Sequence, residues 1–105
     1  MLGKAEVIQK ECLEKQKRIL GPEHPSTLGT LFNLASNYFD QQDYAKAEDI
    51  VKQCLEKYKK VLGTHPETLR TMSKLVYIYK ATGKHDHAAE IYCQYLNMKS
   101  SFSIF

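Results

Sequence analysis

Apolar residues recur along most of the chain at spacings of three and four, the signature of helices with one buried stripe. Leu28, Leu31, Leu34, Ala35 and Tyr38 form one such stripe, and Leu69, Met72, Leu75, Val76 and Tyr79 form a second. Between them Ala47, Ile50, Val51, Cys54, Leu55 and Tyr58 mark another helix. Two phrases interrupt the pattern, LGPEHPSTL from Leu20 to Leu28 and LGTHPETL from Leu62 to Leu69. Each ends one helix at Leu-Gly and starts the next at His-Pro, because a proline in the first turn lacks only an N–H that no helix would use there. Asp43 and Gly83 mark shorter turns within each helix pair.

The interruptions are one feature of a longer repetition. AEVIQKECLEKQKRILG (Ala5 to Gly21) matches AEDIVKQCLEKYKKVLG (Ala47 to Gly63) at most positions, and a fainter copy starts at AAEIYCQYLNMK (Ala88 to Lys99). The period of 42 shortens by one where GPEHP becomes GTHP, a change that loops are expected to absorb at little cost. A helix pair repeated at this interval predicts a solenoid, since one pair cannot bury its apolar face alone. The expected layout is a single all-α domain over 1–99, with antiparallel helix pairs. Residues 1–20 form the second helix of a truncated repeat, 25–62 and 66–99 form full repeats, and 100–105 form a tail. Both ends look unfinished: the chain is a piece of a longer array or pairs through its end faces. Phe102, Ile104 and Phe105 are expected to cover part of the last helix.

Composition changes this picture little. Hydrophobic residues at 43% and charged residues at 26% are ordinary for a globular domain, and a net charge of +3 is too small to argue for nucleic acid or an anionic membrane. No apolar run approaches the roughly 20 residues of a membrane span, and the start MLGKAEVIQKE lacks a secretory signal, so the expected setting is cytoplasmic. Cys12, Cys54 and Cys93 show no Cys-x-x-Cys spacing, which fits a reducing compartment and predicts buried packing rather than a disulfide or zinc site.

NLASNYFDQQDYAKAEDIVKQCL resembles the tetratricopeptide repeat, with Leu34, Ala35 and Tyr38 on its first helix and Tyr44, Ala47 and Cys54 on its second. KLVYIYKATGKHDHAAEIYCQYL keeps Leu75, Tyr79, Gly83, Ala88 and Tyr92 but has Val76 and His85 where the pattern has a small and an aromatic residue. The long period and the LG-x-x-HP linkers are similar to kinesin light chain-type repeats. The resemblance implies a right-handed α-α superhelix of about five helices that binds a partner's peptide or helix in a concave groove lined by the first helix of each unit. Gly29, Phe32, Asn33, Ser36 and Asp40 are expected on that groove from one unit, with Arg70, Ser73, Lys74, Tyr77 and Ala81 from the next. Arg70 and Lys74, four apart on one helix face, form with Asn33 a seat for a carboxylate. These three positions match part of the clamp by which some members of the family hold acidic C-terminal tails. Phe32 and Tyr77 are expected to add apolar contact to an acidic or aromatic-acidic peptide, with Ser36 beside them.

Other classes find less support. KQKR (Lys15 to Arg18) and KYKK (Lys57 to Lys60) suggest a basic stripe for phosphate backbones. Glu11 with Lys15, Glu14 with Arg18 and Glu56 with Lys60 account for it instead as helical ion pairs. No motif calls for catalysis or a cofactor, and His24 and His65 fit turn roles. His85, His87 and Cys93 lack the shared face that metal ligands need. The reading is a non-catalytic scaffold for a protein or peptide ligand, with no nucleic acid or membrane partner. Self-association through uncapped ends is the alternative.

Overall fold

The computed structural model describes residues 3–103, except for the side chains of Ala5 and of residues 101–103. Ile104 and Phe105, and the side chain of Phe102, therefore lie outside the described residues. The described chain forms five helices: α1 (Gly3–Ile19), α2 (Pro25–Asp40), α3 (Tyr44–Leu62), α4 (Pro66–Ala81) and α5 (His85–Ser103). Each packs on its neighbours in the chain, giving an all-α repeat superhelix with extents of 40 × 32 × 16 Å.

The His-Pro phrase has a specific mechanism. His24 sits before α2 in extended backbone, and its Nδ1 accepts a hydrogen bond from the Ser26 backbone N–H at 3.1 Å. His65 does the same for the Glu67 N–H before α4, also at 3.1 Å. Each ring satisfies one of the N–H groups that a helix start leaves without a partner. The proline behind it supplies the preset φ of the first turn. At the other end of α2, Gln42 adopts φ 65°, and the Asp43 N–H reaches back to the Tyr38 carbonyl at 2.8 Å. Gly83 and Lys84 repeat this arrangement after α4, with φ 77° at Gly83 and the Lys84 N–H on the Tyr79 carbonyl. Glycine takes that left-handed conformation without strain, so the second unit makes the turn more cheaply than the first.

The core follows the predicted stripes. Leu28, Ala35, Ala47, Val51, Cys54, Met72 and Ile78 have no exposed surface, and Leu75 and Tyr58 are nearly as enclosed. Helix α3 lies against both α2 and α4 and supplies the residues that join the two units. Burial raises the Cys54 thiol to about 12, and its Sγ lies 3.9 Å from the Leu28 carbonyl oxygen. The expectation that all three cysteines are packed inside is corrected, because Cys12 and Cys93 are exposed. They lie on α1 and α5, which have a helical neighbour on one side only.

Polar contacts repeat with the units as well. Tyr38 on α2 donates its hydroxyl to Glu6 on α1 at 2.6 Å, and Glu6 also holds Lys10 at 3.2 Å. These contacts, Tyr38 first, keep the Glu6 carboxyl below its ordinary range. One repeat later Glu48 on α3 binds Lys84 at 2.8 Å and Lys52 at 3.2 Å, and both ammonium groups lie 5.8 Å from the Tyr79 ring of α4. Lys84 is the main cause of the lowered Glu48 carboxyl. The expected pairs on the second helices do not form among the described residues: Glu11 and Lys15 make no ion pair, Glu14 meets Lys17 rather than Arg18, and Lys60 reaches Glu23 in the preceding loop rather than Glu56.

The shortened linker does carry a cost. Thr27 is buried and donates its hydroxyl to the Gly21 carbonyl, six residues back, at 2.9 Å. Thr68 occupies the matching place, but the corresponding Gly63 is only five residues back, and the fully buried Thr68 hydroxyl has no partner. A buried hydroxyl without a hydrogen bond costs about 1–3 kcal/mol, whereas replacement by an apolar group of the same shape is nearly neutral. Valine keeps the branched shape of threonine and its stiffness in a helix. Urea unfolding followed by circular dichroism should therefore show Thr27→Val losing about 1 kcal/mol and Thr68→Val losing nothing or gaining up to about 1 kcal/mol. Equal losses in the two variants would contradict this account of the linker.

Candidate functional site

Helices α2 and α4, the first helices of the two units, approach each other through four side chains. The Arg70 guanidinium lies 4.9 Å from the centre of the Phe32 ring, and the Lys74 ammonium lies 4.8 Å from that of Phe39. Both cations thus project from α4 over aromatic rings of α2, one turn apart. A cation over an aromatic face is attracted by the ring quadrupole, and the ring strips water from one side of it. Glu67 holds Arg70 from its own helix at 3.3 Å, while among the described residues Lys74 meets no carboxylate. Tyr44 at the start of α3 packs edge-on against Phe39, with ring centres 5.4 Å apart, and fixes the ring beneath Lys74.

The expected site residues fall into three groups. Arg70 and Lys74 share one side of α4, Arg70 exposed and Lys74 half-buried. Tyr77, one turn further on, is 60% exposed. Asn33 is exposed and Ser36 half-buried on α2, and no hydrogen bond among the described residues joins Asn33 to either cation. Phe32 requires a correction: it is buried rather than open to a ligand, because the Arg70 side chain covers it and the core surrounds the rest. It supports the cation instead of presenting an apolar contact. Phe39 was the residue that helical spacing missed. Its distance of seven from Phe32, two turns of the same helix, matches the offset of four between Arg70 and Lys74 only once two crossing helices are in view.

Little else gathers as chemistry. Among the described residues no three of His, Cys, Asp and Glu form a group that could hold a metal ion. His87 lies with its ring 5.3 Å from that of Tyr79, and His24 and His65 are occupied as helix caps. Among the described residues no helix is long and apolar enough to cross a membrane.

Stacked antiparallel helix pairs with a shared first-helix face define a helical-repeat solenoid. The sequence profile of the tetratricopeptide repeat matches residues 2–60 and, overlapping them, 28–101, and the chain belongs to that family. Repeats of this kind generally mediate protein–protein interaction. Among solved structures, BtubC (BKLC) from P. vanneervenii superposes with a TM-score of 0.89 at 19% identity, over 99% of this chain and 42% of that one. A Podosopora anserina protein assigned as a kinesin light chain, with nearly identical TPR-like repeats, gives 0.81 at 25% identity, over 95% of this chain and 48% of its own. A single-substitution variant of that protein gives 0.81 at 24%, over 99% and 50%. The chain thus spans half or less of the length of these structures. No curated protein sequence matches it.

The cation–ring pairs generate a quantitative expectation. In a double-mutant cycle of Arg70→Ala and Phe32→Leu, measured by urea unfolding, the coupling should be about 0.5–1 kcal/mol. A coupling indistinguishable from zero would mean that Arg70 merely lies over the ring without being held by it.

Proposed function

We propose that the chain is a non-catalytic scaffold or adaptor module whose shared α2–α4 face binds an acidic peptide or helix of a partner protein. The observation that carries this reading is the pair of cations seated over Phe32 and Phe39 at 4.9 and 4.8 Å. Side chains held from below offer their outward N–H groups to a carboxylate with less ordering cost than free surface lysines or arginines. Asn33 and Ser36 on the facing helix could serve the ligand's backbone, and the exposed Tyr77 ring its apolar side chains. Glu67 competes for Arg70, which favours ligands with more than one carboxylate. The family's general role in protein–protein interaction supports a binding function over catalysis, and an open helical face lacks the enclosure that catalysis uses. Three thiols outside any disulfide agree with a cytoplasmic setting.

Self-association is a second reading, favoured by α1. Its Ile8 and Ile19, with Leu20 just beyond its end, are exposed and line a trough of about 430 Å³ with Cys12 and Gln16. Light scattering across the micromolar range distinguishes it, since a strict monomer removes this reading.

Fluorescence anisotropy with acidic, aromatic-acidic and charge-scrambled peptides tests the first reading. The acidic peptides should bind at least about tenfold more tightly than the scrambled ones, and Arg70→Ala/Lys74→Ala should abolish that preference, a difference of about 1.4 kcal/mol. Equal binding by wild type and double variant would sink the proposal.

A further inference from the structure

The side of α4 turned away from α2 carries a second surface. Together with α5 it forms a cleft of about 580 Å³, walled by apolar and aromatic side chains that include Val76, Tyr77, Tyr92 and Leu96. Tyr77, Tyr92 and Leu96 are 60%, 50% and 46% exposed, so the apolar ground is open. The Tyr92 and Tyr95 rings are stacked at 5.9 Å, which stiffens the α5 wall. The charged side chains on the cleft are Lys80 and Lys99, and among the described residues no carboxylate lines it.

The repeat itself indicates what this surface fits. Inside the molecule an incoming first helix is held in two ways: the cations of α4 sit on Phe32 and Phe39, and the tyrosine meets the preceding second helix, Tyr38 at Glu6 and Tyr79 at Lys52. Counting 41 residues on, Phe32 and Phe39 become Ser73 and Lys80, while Glu48 and Lys52 become Ala89 and Cys93. All four of these replacements remove a group that held α4 or Lys84 in the turn behind it. A helix bringing Arg70-like and Lys74-like cations would meet Lys80 instead of a ring, and like charges at that distance repel. A tyrosine hydroxyl would find Ala89 at the repeat position where Glu6 accepts from Tyr38. What remains is an apolar floor, a small residue that permits close approach, and a cationic rim.

We propose that this cleft docks an amphipathic helix of a partner protein that carries acidic residues beside its apolar stripe. Helix-in-groove binding places apolar anchors at i, i+3, i+4 and i+7 in such a floor, and the flanking charges set the orientation and reject partners of the wrong sign. The 19 residues of α5 supply a wall long enough for a partner of three to four turns. The cleft lies on the flank of α4 away from α2, meets the acidic-peptide face at Tyr77, and is distinguished from it through Lys80 and Ala89.

Two labelled synthetic helices test it. Both carry the same leucine stripe, flanked by glutamates in one and by lysines in the other, and both are titrated by anisotropy. The acidic helix should bind wild type at least tenfold more tightly than the basic one. Lys80→Glu should reverse that preference, and Ala89→Tyr, which fills the cleft without changing charge, should weaken binding at least tenfold. Arg70→Ala/Lys74→Ala removes the contribution of the α2–α4 face, and the binding that remains should keep its dependence on Lys80 and Ala89. Circular dichroism confirms that each variant is folded. The proposal is overturned if neither helix binds, if both bind equally, or if only the Arg70/Lys74 variant loses binding. It is overturned equally if light scattering shows a second copy of the chain already seated on the Lys80 face.

Discussion

Everything in this molecule depends on helix α3 being packed between α2 and α4. A helix pair of this size has too little apolar surface to fold alone, and stability in such arrays comes from intrinsic helix terms plus contacts between neighbours. Ala47, Val51 and Cys54 lose all their exposed surface in α3, and Tyr58 nearly all. Helices α1 and α5 each pack extensively on one helix, with Lys59 of α3 adding a hydrogen bond to Gln94 of α5, and their outer sides keep Ile8, Ile19, Tyr92 and Leu96 in contact with solvent. The same rule therefore explains the core, the exposed thiols of Cys12 and Cys93, and the presence of open apolar surface at both flanks.

The junctions then turn repetition into distinct surfaces. Glu6 with Tyr38, and Glu48 with Tyr79 through Lys52 and Lys84, set the register between a second helix and the first helix that follows. On the other side of α4, Phe32 and Phe39 anchor Arg70 and Lys74, so the contact that aligns the units also presents two cations side by side. Such contacts are individually modest, yet they decide which groups face solvent in an ordered position. A binding surface built this way needs no dedicated loop.

Most of the fold was legible from the spacing of apolar residues and from the repeated Leu-Gly and His-Pro phrases, because helical period and loop punctuation are local properties of sequence. Leu28, Leu75 and Tyr58 were recognisable as core for that reason. The parts that were not legible depend on two helices crossing. Phe32 reads as a groove residue by angle alone, and only the position of Arg70 shows that it is covered. Phe39 acquires its role from Lys74, more than thirty residues away. Thr68 looks equivalent to Thr27 until the missing linker residue is followed into its hydrogen bond. The repeated offset of Glu6, Lys10 and Tyr38 from Glu48, Lys52 and Tyr79 was the one available signal for the polar junctions.

Native-state hydrogen exchange of the intact chain tests the dependence on α3 most directly, since amides report the free energy of opening segment by segment. The account predicts that α3 amides near Val51 and Cys54 exchange slowest, only with global unfolding, while α1 and α5 exchange faster through local opening at the flanks. Protection in α1 or α5 equal to that in α3 would contradict it, and would mean that the outer helices are held by something other than their single neighbour.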